Sequence, residues 1–186
     1  MAFTNTPLFG GAITVDLPSN FADTSTIREV PDHQEVYLDA GGYSNIVIEI
    51  LEYVDKPSDE EALQYHFSDL VDDTGDSTNI LQQEKVTFGK DGVKEKNAMG
   101  LTFIQTPAPP TDPRRKTPEF VYIHLLLLRL KEQDTDIMAT INIPHYKDEY
   151  EKAEPGEETN LMKDSKAIRE KVLGTFEVKE WGLFDG

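Results

Sequence analysis

Two stretches of sequence decide the fold: FVYIHLLLLRL at residues 120–130 and NIVIEILEYV at residues 45–54. In both, apolar side chains occupy odd and even positions alike. Successive side chains of a β-strand point to opposite faces of the sheet, so a strand with this pattern is covered on both faces. The two stretches therefore predict strands in the middle of a sheet that has a layer of structure on each side.

Weaker patterns predict the other elements. A helix is expected to follow Ser58, because Glu61 completes a capping box, and to end near residue 72. A second helix is expected over residues 160–173, with Gly174 at the C′ position that glycine favours. Shorter strands are predicted at residues 11–17, 34–38, 97–104 and 137–143, the last of them ending at Pro144.

This order of elements is strand-rich and shows no strand–helix–strand alternation. It predicts an α+β fold, a single domain over residues 1–186 in which an antiparallel sheet carries helices on both faces. Residues 107–118 contain five prolines and are expected to form an extended loop between strands. The tail at residues 181–186 receives no role.

The composition is acidic and lacks cysteine. The 186 residues carry 35 Asp and Glu against 18 Lys and Arg, a formal net charge of −17. Such a surface repels nucleic-acid phosphates and anionic lipid and attracts basic protein surfaces, although acidity also serves solubility alone. We therefore expect a protein that binds neither nucleic acid nor membrane.

The cellular location is indicated by three absences. Without cysteine there are no disulfides, which fits a reducing compartment. Neither a signal peptide nor a membrane span is evident. We therefore expect a cytosolic or nuclear protein.

Few groups of side chains point to chemistry. The four histidines show no metal-ligand spacing, and His66 and His124 are expected to be structural residues. The acidic residues 72–79 fail the EF-hand register and are expected to form a solvated turn. The basic run at residues 113–116 is interpreted as loop charge, with a localisation or docking signal as the alternative. We expect no metal, no cofactor and no catalytic residue.

Residues 28–35, REVPDHQE, remain as the candidate site. Pro31 interrupts a short helical turn predicted at residues 25–29, so that Asp32 and Glu35 are presented near the entrance of a strand. The residues alone leave two interpretations open: a pair of binding carboxylates, or a turn cap and an edge charge that meet water. Paired acids also permit glycoside hydrolysis, but nothing in the sequence fixes the distance between them.

Several motifs along nearly the whole chain resemble one known family. The most specific is VPDHQEV at residues 30–36, preceded by LFGGAI at residues 8–13. These motifs are similar to those of the Ran guanine-nucleotide release factors, the Mog family of nuclear-import proteins. The chain departs from the family in the acidic segment 146–158 and in the tail. Further matching motifs are IEILE at residues 48–52, YHFSDL at 65–70, LRL at 128–130 and the stretch 134–144.

The resemblance implies a sheet of about six antiparallel strands flanked by helices. It also implies a monomer of the nucleus and cytoplasm that binds the small GTPase Ran and releases its guanine nucleotide, GTP in particular, by binding rather than by catalysis. In the family, the acids at Asp32 and Glu35 matter for Ran binding, and Arg28, Pro31 and Gln34 match neighbouring positions of the same patch. The alternatives are an adaptor or chaperone of nucleotide-free Ran without exchange activity and, less favoured, a carboxylate-dependent hydrolase. Asp32 and Glu35 are both expected to be exposed, so replacing either with alanine should leave the fold intact.

Overall fold

The structure, a computed structural model, describes residues 1–185. Within that range the chain forms ten strands and two α-helices. They are β1 (Phe3–Leu8), β2 (Ile13–Pro18), β3 (Phe21–Asp23), β4 (Gln34–Asp39), β5 (Asn45–Glu52), α1 (Asp59–Val71), β6 (Ser77–Lys85), β7 (Asn97–Thr106), β8 (Phe120–Leu130), β9 (Thr135–His145), α2 (Asn160–Thr175) and β10 (Glu177–Val178).

The strands form two antiparallel sheets. The main sheet has seven strands in the order β3-β4-β5-β9-β8-β7-β6, and a small sheet has the order β1-β2-β10. The predicted α+β class is therefore confirmed, while the count of about six strands is one too low for the main sheet. The two stretches that decide the fold, β5 and β8, both pair with β9 in the centre of this sheet.

Both faces of the main sheet are covered, as the strand patterns predict. On one face, Leu126 and Leu128 of β8 lie in a core with the small sheet and α2. On the other face, Leu125 and Leu127 lie in a second core with α1. All four leucines have 0% exposed surface. The molecule is thus layered, with α1 on one side of the sheet and α2 with the small sheet on the other.

Both helices begin where expected. The hydroxyl of Ser58 accepts a hydrogen bond from Glu61 N at 3.2 Å, and α2 is capped by Thr159. The expectation that Gly174 ends α2 is wrong, because the helix continues to Thr175. Its end is stabilised from outside, since Gly89 N donates to Leu173 O at 2.9 Å, and a helix end satisfied in this way does not require glycine at C′.

Three other expectations need correction. The acidic turn is shorter than residues 72–79, because β6 already begins at Ser77. Strand β9 passes through Pro144 to His145; Pro144 lies beyond Asn142, the last residue of β9 that pairs with β5, and proline is tolerated at such an edge. Strands β1, β3, β6 and β10 were not predicted. Residues 107–118 connect β7 and β8 without helix or strand.

A buried polar cluster ties α1 to the sheet. Asp136 is fully buried and accepts hydrogen bonds from His66 Nε2 at 2.8 Å and from Val54 N at 3.2 Å. Arg129 Nε lies 2.8 Å from Asp136 Oδ1, at an angle that makes it an electrostatic contact rather than a hydrogen bond. Arg129 also donates to Val54 O at 2.6 Å. His66 is therefore a structural residue, as predicted.

Residues 181–184 pack against the core. Residues Trp181–Phe184 form a 3₁₀ turn, and Trp181 and Phe184 contact the core that α2 covers. Gly186, the last residue of the tail, lies outside the described residues. Neither helix within residues 1–185 is long and apolar enough to cross a membrane.

Candidate functional site

The candidate site is an exposed turn held at both ends by backbone hydrogen bonds. Thr24 O accepts from Ile27 N at 3.0 Å and from Arg28 N at 3.1 Å, which closes the helical turn predicted at residues 25–29. After Pro31, whose carbonyl accepts from Gln34 N at 3.0 Å, the chain enters β4. We call residues 24–33 the entry turn. Its position relative to the sheet is therefore fixed although most of its side chains are in water.

Asp32 and Arg28 are two of the three free charges of the entry turn, and the third is Glu29. The side chains of Asp32 and Arg28 are exposed. Among residues 1–185, neither forms an ion pair within 4.0 Å, and no side-chain hydrogen bond of either is present. Pro31 and His33 beside them are exposed as well, and His33 O accepts from Ile50 N at 2.9 Å on β5. Asp32 is thus presented to solvent with its full hydrogen-bonding capacity on a backbone anchored to two strands.

Glu35 is in a different environment, and the expectation that it is exposed is wrong. Its side chain is half-buried, and Oε1 accepts a hydrogen bond from Phe9 N at 2.7 Å. Phe9 has φ of 50°, a left-handed conformation that is uncommon outside glycine, and Gly10 and Gly11 follow with φ of 70° and 92°. The carboxylate therefore stabilises a strained turn between β1 and β2. Its other oxygen, Oε2, has no partner among the described residues.

Gln34 lies on the opposite face of β4 from Glu35. Its amide donates to Glu49 Oε2 at 3.0 Å across the β4–β5 pair. Of the five predicted residues, the structure thus brings Arg28, Pro31 and Asp32 together in the entry turn, and it separates Gln34 from Glu35 by strand alternation.

Two contributors to the site were missed by the sequence interpretation. Phe9 and Glu49 each bond a predicted residue, from 26 and 15 positions away. The only signal for the first was the pair Gly10-Gly11, which marks a tight turn but not its partner.

The geometry does not favour hydrolysis at this site. A general acid that works near neutral pH needs apolar surroundings, and a glycosidase needs two carboxyls facing one bond. Asp32 is in water, and Glu35 is bonded to a backbone amide. Within residues 1–185, no group of three or more His, Asp or Glu side chains is arranged to hold a metal ion.

Known proteins share this fold and much of this sequence. Residues 6–144 match the profile of the family described as Ran-interacting Mog1 protein. The nuclear import protein mog1 of Schizosaccharomyces pombe is 33% identical over 144 residues, which cover 74% of this chain and 75% of that protein. The Ran guanine nucleotide release factor of Danio rerio is 33% identical over 143 residues, covering 74% of this chain and 76% of its own length.

A match that spans more of the chain comes from budding yeast. The nuclear import protein MOG1 of Saccharomyces cerevisiae is 31% identical over 189 residues, covering 95% of this chain and 83% of that protein. The crystal structure of the Saccharomyces cerevisiae Ran-binding protein Mog1p superposes with a TM-score of 0.78 at 28% identity and covers 99% of each chain. The likeness therefore extends beyond residues 6–144 to include α2.

Proposed function

Because the chain belongs to the Ran-interacting Mog1 family, we propose that it binds the small GTPase Ran and promotes release of the guanine nucleotide from Ran, in support of nuclear protein import. The observation that carries the site assignment is the exposed carboxylate of Asp32, which has no partner in residues 1–185 and stands on an anchored turn. Because the backbone that carries this carboxylate is already anchored, binding of a partner costs little further backbone conformational entropy.

The five residues of the site take different parts. Asp32 contacts a basic group of Ran directly, with Arg28 beside it as a second exposed charge. Glu35 uses Oε1 to hold the Phe9 turn and offers Oε2 to Ran. Pro31 directs the chain into β4, and Gln34 fixes the start of that strand through its bond to Glu49.

A GTPase holds its nucleotide through a lysine, backbone donors and Mg²⁺. A carboxylate that engages a basic group of Ran stabilises a state in which the nucleotide is held less tightly. Linkage then requires that bound nucleotide weakens the affinity of Ran for this protein by the same factor. The protein acts by this coupling and not by making or breaking a covalent bond, and it needs no cofactor.

The acidic surface serves the encounter with Ran. A formal charge of −17 attracts a basic protein surface from a distance and speeds association, an effect that salt screens. The same charge repels nucleic acids and anionic membranes, which are not its partners. We propose that the protein works as a monomer of one domain in the nucleus and cytoplasm, where Ran-dependent import takes place.

The test is release of labelled GTP from purified Ran, measured together with binding. Wild-type protein should accelerate release, and Asp32→Ala should weaken Ran binding about tenfold, because it removes a charged contact without altering the fold. Glu29→Ala, a neighbouring exposed acid, is the matched control. If Asp32→Ala bound Ran as well as wild type, the site assignment would be wrong. If the wild-type protein bound Ran without accelerating GTP release, its role would be that of an adaptor or chaperone of Ran rather than a nucleotide release factor.

A further inference from the structure

A groove lies beside α2, where the helix leaves part of its own face of the main sheet uncovered. Its volume is 1060 Å³, at the upper end of the range for small-molecule pockets. One wall is the edge strand β6 with Leu81, and the other is α2 with Met162. Because Leu81 is 49% exposed, the groove is open to solvent along β6, and it suits a peptide segment better than an enclosed ligand.

The floor of the groove is uncharged. It is formed by side chains of β7 and β8, among them Ile104, Tyr122 and His124. The imidazole of His124 is bonded on both sides, to Thr102 Oγ1 and Ser165 Oγ, each at 2.9 Å. Burial, helped by the nearby positive charges, lowers the pKa of His124 to about 4, so this ring is neutral at physiological pH. An apolar side chain can therefore rest on the floor without displacing a charge.

The positive charges of the groove are already neutralised. Lys166 Nζ lies 2.6 Å from Glu158 Oε2. Arg169 contacts Glu84 Oε1 at 2.7 Å and Glu170 Oε1 at 2.6 Å. In contrast, Glu157 at the rim is exposed and forms no ion pair within residues 1–185. The charge left to meet an occupant is thus negative, which favours lysine or arginine and disfavours an anionic ligand.

The acidic rim belongs to the segment 146–158, for which the sequence predicts no role. Glu157 and Glu158 end residues 146–158, which lead from β9 to α2, and Gly156 has φ of 82° in the turn that presents them. The segment is fixed from both sides, by the Tyr150 hydroxyl bond to Glu119 Oε1 at 2.8 Å and by the capping of α2 at Thr159. The rim is therefore preorganised for a partner.

We propose that this groove docks a segment of a partner protein in which apolar side chains alternate with lysine or arginine. The apolar side chains lie against Leu81, Ile104 and Met162, and the basic ones meet Glu157. The groove is a surface separate from the entry turn, because β4 and β7 are four strand spacings apart, about 19 Å across the sheet. A partner can occupy it while Ran is bound.

Three labelled ten-residue peptides test the proposal by fluorescence anisotropy. One alternates leucine with lysine, one alternates serine with lysine, and one alternates leucine with glutamate. The leucine–lysine peptide should bind at least about tenfold more tightly than the others, and less tightly as salt rises. Leu81→Ser should weaken its binding about tenfold, and Glu157→Lys should weaken it and reduce the salt dependence.

Ile80 supplies the matched control. It is 45% exposed beside Leu81 but pairs with Phe103 on the other face of the strand, so Ile80→Ser should leave peptide binding unchanged. Equal loss of peptide binding in Leu81→Ser and Ile80→Ser would mean that the exposed edge strand binds peptides without using the groove, and it would overturn the proposal. A dimer in sedimentation that Leu81→Ser abolishes would assign the groove to a second copy instead.

Two variants distinguish failure of docking in the groove from failure of the proposed Ran binding. Asp32→Ala should bind the leucine–lysine peptide as wild type does, and Leu81→Ser should retain Ran binding. Loss of Ran binding in Leu81→Ser would mean that the groove belongs to the Ran-binding surface, and it would overturn the proposal that the groove is a separate site.

Discussion

Asp32 and Glu35 are three positions apart in the sequence, yet their carboxylates lie in different environments. Asp32 is exposed and free of partners among the described residues, whereas Glu35 is half-buried and bonded to Phe9 N. A motif that reads as one acidic pair therefore combines a contact residue with a residue that also supports the fold. Loss of Ran binding in a Glu35 variant would by itself be ambiguous.

The two roles predict different stabilities. Asp32→Ala should change the free energy of unfolding by less than about 0.5 kcal/mol. Glu35→Ala should lower it by about 1–2 kcal/mol, because it leaves the Phe9 amide without its acceptor in a left-handed turn. Glu35→Gln keeps an acceptor oxygen and should recover most of that loss. Urea unfolding of the three variants measures this, and equal stability of Glu35→Ala and Asp32→Ala would show that the bond to Phe9 contributes nothing.

At the scale of single residues, the sequence predicts which side chains can bind a partner, but not which long-range contacts they form in the fold. The motif at residues 30–36 identified Asp32 correctly as exposed. The bond between Glu35 and Phe9 joins residues 26 positions apart, and no local periodicity encodes such a contact. The buried Asp136 was equally hidden, because the strand was predicted to begin only at residue 137 and its partners His66 and Arg129 lie in other elements.

Among the elements, strands with apolar patterns were predicted and edge strands were not. Strands β5, β7, β8 and β9 carry apolar side chains that a core requires. Strand β6 is exposed along almost its whole length and contains mostly polar residues, so it has no apolar periodicity to detect. It is a strand because β7 offers it backbone hydrogen bonds. The groove beside β6 was unpredictable for the same reason.

One connection between elements has a clear physical basis. Lys116, in the proline-rich loop, bonds to Glu149 Oε2 and to the hydroxyl of Tyr43, and its ammonium lies 4.7 Å and 4.9 Å from the ring centroids of Tyr43 and Tyr146. Two aromatic faces and a carboxylate are a favourable environment for a cation, and the bond to Glu149 raises the pKa of Lys116. The loop at 107–118 is thereby tied to the acidic segment 146–158.

Removing this tie should loosen both segments without unfolding the domain. In Lys116→Ala, chymotryptic cleavage after Tyr146 should accelerate about fivefold, the scale expected for an exposed charge network, while the thermal midpoint stays unchanged. Arg115→Ala is the control, since Arg115 is exposed and forms no ion pair in residues 1–185. Equal cleavage rates in the two variants would mean that the segment is held by its other contacts alone.

For the whole molecule, two opposing electrostatic effects set the dependence of stability on pH. The net charge of −17 disfavours the compact state through self-repulsion, and this repulsion eases only when carboxylates begin to protonate, near their ordinary pKa of about 4. His124 and His145 act at higher pH. Burial lowers the pKa of His124 from 6.5 to about 4 and lowers the pKa of His145.

Between about pH 6.5 and 4 the histidine effect should therefore win. The folded pKa of His124 lies below the unfolded one, so the unfolded chain takes up the proton first, and stability present above pH 6.5 is lost as the pH falls toward 4. From pH 7 to pH 5 this amounts to about 2 kcal/mol for His124. In His124→Gln, which can still bond Thr102 and Ser165 but does not titrate, the loss of unfolding free energy between pH 7 and pH 5 should shrink by that amount. His33→Gln, at an exposed position, is the control. An unchanged slope in His124→Gln would locate the acid sensitivity elsewhere in the protein.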